Sequence, residues 1–530
     1  MQDLPDTVRA DGETLTVEEV VAVAREDATV EVPDPTREAI RAARSRVEEV
    51  LESGEPVYGV NTGFGDLADE RIPPEEVNTL QHNLLRSHAA GTGEVLDRDV
   101  VRAMMLTRLN TLAKGYSGVR EAVVDHLLAL LNEDIAPVVY SHGSLGASGD
   151  LIPLAHMALV LVGEGEAFVQ TDDGRTRVSG AEALSRAGLD PLSLEAKEGI
   201  ALINGTQLTV AAGALLVHDA ARAVKAADVA GALTTEVTMS TTATSDPALH
   251  AVRPHDGQQE SARNIKRLTA DSEIVESHRN CDRVQAPYSI RCLPQVHGAV
   301  RDAVEHCREA IEVELNSATD NPLVFPADAV DDRASGTDTA AILSGGNFHG
   351  EPLALRLDYL TTALTELAAI SERRLDRMLN PHVQEDYLPP FLTDESGVES
   401  GYMLAQYTAA AVLNEARSLE SAAADNTPVS GNQEDHVSMS VQAAYNAETA
   451  LSAARTVLGI ELLAGAQAAE FVEEDLWPGV GTAAAIEVIR EAFPPLTEDR
   501  PLHEEIEWAK NLVADGLDER VAAHLAEGLE

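Results

Sequence analysis

The apolar residues of this chain recur at helical spacing over unusually long stretches. Val296, Val300, Val304, Cys307, Ile311 and Leu315 are separated by steps of four, four, three, four and four, and Leu353, Leu357, Leu360, Leu364 and Leu367 by four, three, four and three. At about 3.6 residues per turn, each series lays one apolar stripe along a helix. A third stretch, from about Val437 to Val472, carries Ala444, Ala447, Leu451, Ala454 and Leu458, whose small members allow close helix approach. Stripes of this length are buried by packing on one another, so the pattern predicts a mostly α fold with a long-helix bundle over 201–530. Residues 1–200 read as a smaller mixed domain, mainly helical. Helices are expected at about Val17 to Arg25, from Pro35 to Leu51 and from Leu151, with one hairpin from Ala167 to Val178 turning at Asp173-Gly174.

Charge then limits the partners. The 530 residues include 89 acidic and 39 basic side chains, a formal net charge of -50. Nucleic acid and anionic membranes require a positive footprint, so neither is an expected partner. With 44% apolar residues the chain can still bury a core, which argues against disorder. Only five of the basic residues are lysines (Lys114, Lys197, Lys225, Lys266 and Lys510). Such self-repulsion needs screening by salt, which predicts a cytoplasmic protein from a high-salt cell. Cys281, Cys292 and Cys307 have no metal-binding spacing and are expected to be reduced. The start Met1-Gln2-Asp3 lacks the pattern of a secretory leader, and no apolar run is expected to reach the ~18 residues of a membrane span.

Five polar, mostly Gly- or Asn-bearing segments each stand before a helical stretch: Ser141–Asp150, Asn204–Thr206, Gln285–Arg291, Ser344–Gly350 and Ser430–His436. Capping explains any one of them, because Gly, Asn, Asp and Ser satisfy the free N–H groups of a helix start. If several converge, their N-termini would form a site for an anionic ligand or a developing anion. Ser148, in Gly146-Ala147-Ser148-Gly149-Asp150, lacks the GxSxG elbow and surrounding sheet of a hydrolase nucleophile. Spacing alone makes Ser148 an N-cap. A tight Ala-Ser-Gly turn has another option: the Gly149 nitrogen can reach the Ala147 carbonyl carbon, and loss of two waters then yields a methylidene-bearing imidazolone. No HExxH motif, GxxxxGK[ST] loop or strand-borne GxGxxG is present, and no metal is expected.

The string Gly143-Ser144-Leu145-Gly146-Ala147-Ser148-Gly149-Asp150-Leu151-Ile152-Pro153-Leu154-Ala155 resembles the prosthetic-group segment of the aromatic amino acid ammonia-lyase family. That family uses 4-methylideneimidazol-5-one (MIO). The resemblance runs from about Tyr58 to about Met439 and includes Tyr58–Gly65, Ser87-His88-Ala89-Ala90-Gly91, Lys197-Glu198-Gly199, Asn204-Gly205-Thr206, Gln285–Arg291 and Gly431–Met439. His88 and Glu434 resemble the branch acting on histidine more than the branches acting on phenylalanine or tyrosine. The resemblance implies a fumarase/aspartase-like central bundle, deamination of L-histidine to trans-urocanate, and a homotetramer whose active sites take segments from more than one subunit.

It also implies roles for individual residues. Ala147, Ser148 and Gly149 would form MIO, with no external cofactor. Tyr58, in a loop with Gly59, Gly63 and Gly65, or else Tyr288, would be the base; a phenol near pKa 10 needs positive potential to act at neutral pH. Arg291 would fork onto the substrate carboxylate. Asn204 and Gln285 would orient that carboxylate or stabilise the imidazolone oxygen. His88 and Glu434 would hold the imidazole, and Phe348 would wall its ring. The rival readings are a tyrosine or phenylalanine ammonia-lyase or aminomutase of the same family, and a helical scaffold without catalysis.

Overall fold

The structure, a computed structural model, describes residues 4–54, 57, 62, 72–172, 174–279, 281, 284–331, 335–424 and 426–530. These contain twenty α-helices and ten short strands. The expected stripes become the helices Leu293–Leu315 and Glu351–Leu379, and the small-residue stretch becomes Ser440–Ala469. Gln207–Val237, 31 residues, is the longest helix. Near the N-terminus, Val17–Arg25 starts with a capping box formed by Thr16 and Glu19. Asp34–Ser53 has proline in its first turn and stops at Gly54, where φ is +72°.

The chain divides into two compact units. One comprises 1–218, 307–357 and 421–444, the other 219–306, 358–420 and 445–530. Residues 1–200 fall wholly in the first, while later sequence is shared between both. The chain passes from one unit to the other inside each of the four long helices just named.

In the first unit, strands Glu166–Thr171 and Gly174–Ser179 form the expected hairpin, paired from Glu166 with Ser179 to Thr171 with Gly174. Ala136–Pro137 adds a third strand that the turn signals do not announce. Strand Tyr140–His142 pairs antiparallel with Thr92–Val95 and delivers the chain to residues 143–150. Helix Arg98–Ala113 is buried at every position from Val101 to Ala113, including the charged Arg102 and Arg108.

In the second unit, Gly465 faces Leu233: a methyl group on it would stand 2.8 Å from Leu233 Cδ2. The helices carrying these residues therefore approach as closely as the small-residue pattern requires. The core of this unit also holds charge. Arg374 and Glu461, both fully buried, form a two-pronged ion pair, with Nη2 donating to Oε2 at 2.8 Å. Thr234 and Ser371 donate to the same carboxylate. Beside them His297, also buried, contacts Arg374 Nη1 at 3.2 Å and Asp228 Oδ1 at 2.8 Å. Ser440–Ala469 corrects one expectation, because its length and apolarity would suffice to cross a membrane. Its most apolar stretch is 83% buried within the protein, as befits a core helix.

Candidate active site

Four of the five polar segments meet around residues 145–150 in the first unit. Gly149, at φ +76°, pairs with Gly205, and a Cβ on Gly149 would overlap the Gly205 carbonyl. Only glycine fits there. The Asp150 N–H donates to Gly205 O at 2.6 Å, and Asn204 Nδ2 donates to Ser148 O at 2.7 Å. The Gly146 carbonyl accepts from the Gly350 N–H at 3.1 Å and from Ser438 Oγ at 3.0 Å, while the Met439 N–H donates to Leu145 O at 2.8 Å. The Ala-Ser-Gly turn is thus held from three sides by backbone and amide contacts from distant sequence.

Ser148 is not an N-cap. Asp150 stands at the N-cap position of helix Leu151–Leu161, and the Ser148 hydroxyl donates to Glu434 Oε1 at 2.8 Å. The Asp150 carboxylate, fully buried, caps a different helix: it accepts from the Thr209 N–H at 2.8 Å in the first turn of Gln207–Val237, and from Ser144 Oγ at 2.6 Å. The Thr209 N–H of that helix start is therefore taken by the protein's own carboxylate and is not open to an anionic ligand. Burial pushes the Asp150 carboxyl above the usual carboxylate range, against the pull of these donors.

A cavity of about 220 Å³ opens on Ser148, with His88, Glu434, Leu145 and Ile152 in its wall. His88 ends helix Val77–His88, and its Nδ1 lies 2.9 Å from the Leu84 carbonyl. A carbonyl only accepts, so Nδ1 carries the proton and Nε2 is left as an acceptor. Burial lowers the His88 pKa; the Leu84 carbonyl and the Glu434 charge pull the other way. Phe348 is half-buried and does not line this cavity. Its neighbour His349 stacks on His436, with ring centroids 5.6 Å apart and planes within 4°.

Gln285, Tyr288 and Arg291 form their own cluster in the second unit. The last two belong to a short helix, Tyr288–Arg291, where the sequence reads only as a polar segment. Arg291 donates to Gln285 Oε1, a neutral partner, and its guanidinium lies 5.9 Å from the Tyr288 ring centroid. Tyr288 is 76% exposed. Tyr58 and its glycine-rich loop lie outside the described residues.

Two buried charged residues beside the turn carry no role in the sequence reading. Asp150 is one. Arg108 is the other, and its only sequence signal is a lone arginine inside the apolar run Met104-Met105-Leu106-Thr107-Arg108-Leu109.

A mostly helical scaffold that gathers distant segments around an Ala-Ser-Gly turn, beneath a small cavity that also holds His88 and Glu434, defines the class of helical carbon–nitrogen lyases. The family profile described as aromatic amino acid lyase matches residues 15–491, and the chain belongs to that family. It is 60% identical over 513 residues to the probable histidine ammonia-lyase of Halobacterium salinarum, covering 97% of each chain. It is 49% identical over 531 residues to the histidine ammonia-lyase of Gloeobacter violaceus, covering 100% of this chain and 99% of the other. Among solved structures, the histidine ammonia-lyase of Trypanosoma cruzi superposes with a TM-score of 0.88 at 37% identity, over 98% of this chain and 96% of that one. A tyrosine aminomutase from Streptomyces globisporus superposes at 0.90 with 36% identity, over 99% and 100%.

Proposed function

We infer that the chain is a histidine ammonia-lyase, converting L-histidine to trans-urocanate and ammonia, with Ala147, Ser148 and Gly149 as the source of an MIO group. The observation that carries the site assignment is the Ala147–Gly149 turn itself. It has a left-handed glycine that no other residue could replace, a carboxamide on the Ser148 carbonyl, and beside it the buried Asn204 Oδ1, which has no hydrogen-bond partner among the described residues. The residues fit the group. When formed, MIO supplies an electrophilic methylidene that makes the substrate nitrogen a better leaving group.

The chain's own residues do the rest. Asn204 Nδ2 stabilises negative charge on the Ser148 oxygen; donors of this kind are worth about 10²–10³ in kcat. His88 Nε2 and the Glu434 carboxylate bind the two nitrogens of the substrate imidazole, one accepting from each N–H of its charged form. Arg291 takes the α-carboxylate in a fork, steadied by Gln285. A tyrosine, Tyr58 or Tyr288, removes the β-hydrogen.

The enzyme works as a homotetramer with active sites built from more than one subunit; the 76% exposure of Tyr288 leaves the Gln285–Arg291 cluster open to another subunit. The net charge of -50 and the similarity to a Halobacterium protein support a soluble cytoplasmic enzyme working at high salt. The test is urocanate formation from L-histidine at high KCl, with tyrosine and phenylalanine as competing substrates and Ser148→Ala beside the wild type. Full activity in Ser148→Ala would sink the mechanism. Preference for tyrosine or phenylalanine would move the chain to the ammonia-lyases or aminomutases that act on those substrates.

A further inference from the structure

Arg108 is fully buried, yet its direct partners among the described residues are neutral. Nη1 donates to the Ala201 carbonyl at 2.9 Å, and Nη2 donates to the Asn204 carbonyl at 2.7 Å and to Gln207 Oε1. The first two are C-terminal carbonyls of helix Glu198–Ile203, whose C-cap is Asn204. Arg108 thus ties the end of this helix to the start of Gln207–Val237. The Gly205 turn lies between the two, and a Cβ on Gly205 would stand 2.8 Å from Arg108 Nη2. On its other side the same turn grips the Ala-Ser-Gly segment, through Asn204 Nδ2 on Ser148 O and through Gly205 O on the Asp150 N–H.

Burying a guanidinium without a carboxylate in direct contact is unfavourable. Burial brings the Arg108 pKa down to about 10, so the group stays charged at neutral pH, with Asp320 and Asp150 as the nearby opposite charges. A neutral side chain could fill this space without that penalty. What the fork supplies is a fixed Asn204–Gly205 turn.

We propose that Arg108 is a positioning residue for maturation of the Ala147-Ser148-Gly149 segment: by holding the Ala201 and Asn204 carbonyls it fixes the Asn204–Gly205 turn that aligns the segment for ring closure. This rests on the MIO reading above. In ring closure the Gly149 nitrogen bonds to the Ala147 carbonyl carbon, whose oxygen leaves as water with the amide hydrogens of Gly149 and Ser148. Ser148 then loses its hydroxyl and its Cα hydrogen as a second water. Asn204 Nδ2 draws electron density toward the Ser148 oxygen, which acidifies that Cα hydrogen and lowers the barrier to the second loss. Both effects require the Asn204–Gly205 turn to stay where Arg108 holds it.

The experiment follows the mass of the proteolytic peptide bearing residues 147–149 in full-length protein folded at high KCl, as a function of time after synthesis. Wild type loses the mass of two waters. Arg108→Met, folded by circular dichroism, loses it more slowly by about 10- to 100-fold, and Arg108→Lys, which restores a cation at the carbonyls, recovers much of the rate. Should Arg108→Met fail to fold, Arg108→Gln takes its place, with a neutral amide that still donates and the same expected slowing. Dehydration at the wild-type rate in the folded Met or Gln variant overturns the proposal. So does a lowered melting temperature with dehydration unchanged, which is what a merely structural role would give. Wild-type protein that keeps both waters overturns the MIO reading itself, a distinct result.

Discussion

The Ser148 hydroxyl donates to Glu434 Oε1 at 2.8 Å, joining residues 286 positions apart. Glu434 also lines the cavity that His88 shares, so one side chain faces both the Ala-Ser-Gly turn and that cavity. Glu434→Ala leaves the fold intact, because the residue is only partly buried. It should raise KM for histidine and lower kcat/KM by about 10²-fold or more, as expected for loss of a charged hydrogen-bond partner. Glu434→Gln should recover part of the loss. Steady-state kinetics on both variants check this, and unchanged KM in both would remove Glu434 from the site.

Gly149→Ala should abolish activity in a folded protein. The position combines φ +76° with a Cβ that would overlap the Gly205 carbonyl, so the turn must open and Ser148 must shift. A displacement of about 1 Å at reacting atoms costs roughly 10²-fold or more in rate. Activity within a few-fold of wild type, with normal helical content by circular dichroism, would contradict the geometry.

His88 makes stability depend on pH in a defined direction. Burial holds its folded pKa below the ordinary 6.5, so between those two values the unfolded chain binds the proton and the folded chain does not. Its contribution is therefore unfavourable to the folded state once the pH falls below 6.5, growing until the pH reaches the folded value. Compared at high salt, the melting temperature of wild type should fall relative to that of His88→Asn as the pH drops from 7 to 5. Parallel pH profiles would contradict the shift.

Arg374→Met should be strongly destabilising. It would strand the Glu461 carboxylate, fully buried and otherwise met among the described residues by Thr234 and Ser371, and breaking a buried pair by removing one partner costs about 3–5 kcal/mol. The double variant Arg374→Met/Glu461→Leu should recover most of the loss. Thermal or chemical unfolding of the three proteins decides it, and a double variant no more stable than the single would mean that the ion pair itself is not what matters.

Cys307 offers a test of the proposed salt requirement. It is buried and its thiol is pushed up to about 12 by desolvation, whereas Cys281 is exposed. At high KCl an alkylating reagent should label Cys281 and spare Cys307, since the thiolate is the nucleophile and neither solvent nor reagent reaches it. Dilution of KCl should let the surplus of negative charge open the fold and expose Cys307. Protection of Cys307 that persists without salt, together with full activity, would overturn the high-salt proposal.

The sequence by itself determined the helices. The stripes at 296–315 and 353–367 are local, since residues four apart share a face wherever the helix later packs, and they appear as Leu293–Leu315 and Glu351–Leu379. The Ala147-Ser148-Gly149 motif and the net charge were equally legible, because each is a property of adjacent residues or of a sum. Tertiary structure alone decided what each polar segment does. Ser148 has the composition of a helix cap, yet its hydroxyl meets Glu434, while Asp150 caps a helix that starts more than fifty residues later. Arg108 reads as one arginine in an apolar run, and only the folding of helix Arg98–Ala113 into the core brings its guanidinium to the Asn204 turn. Periodicity records which face of a helix is buried and says nothing about which buried donor meets which acceptor. That is settled when the helices pack, since each buried polar group must then find a partner among whatever distant segments reach it.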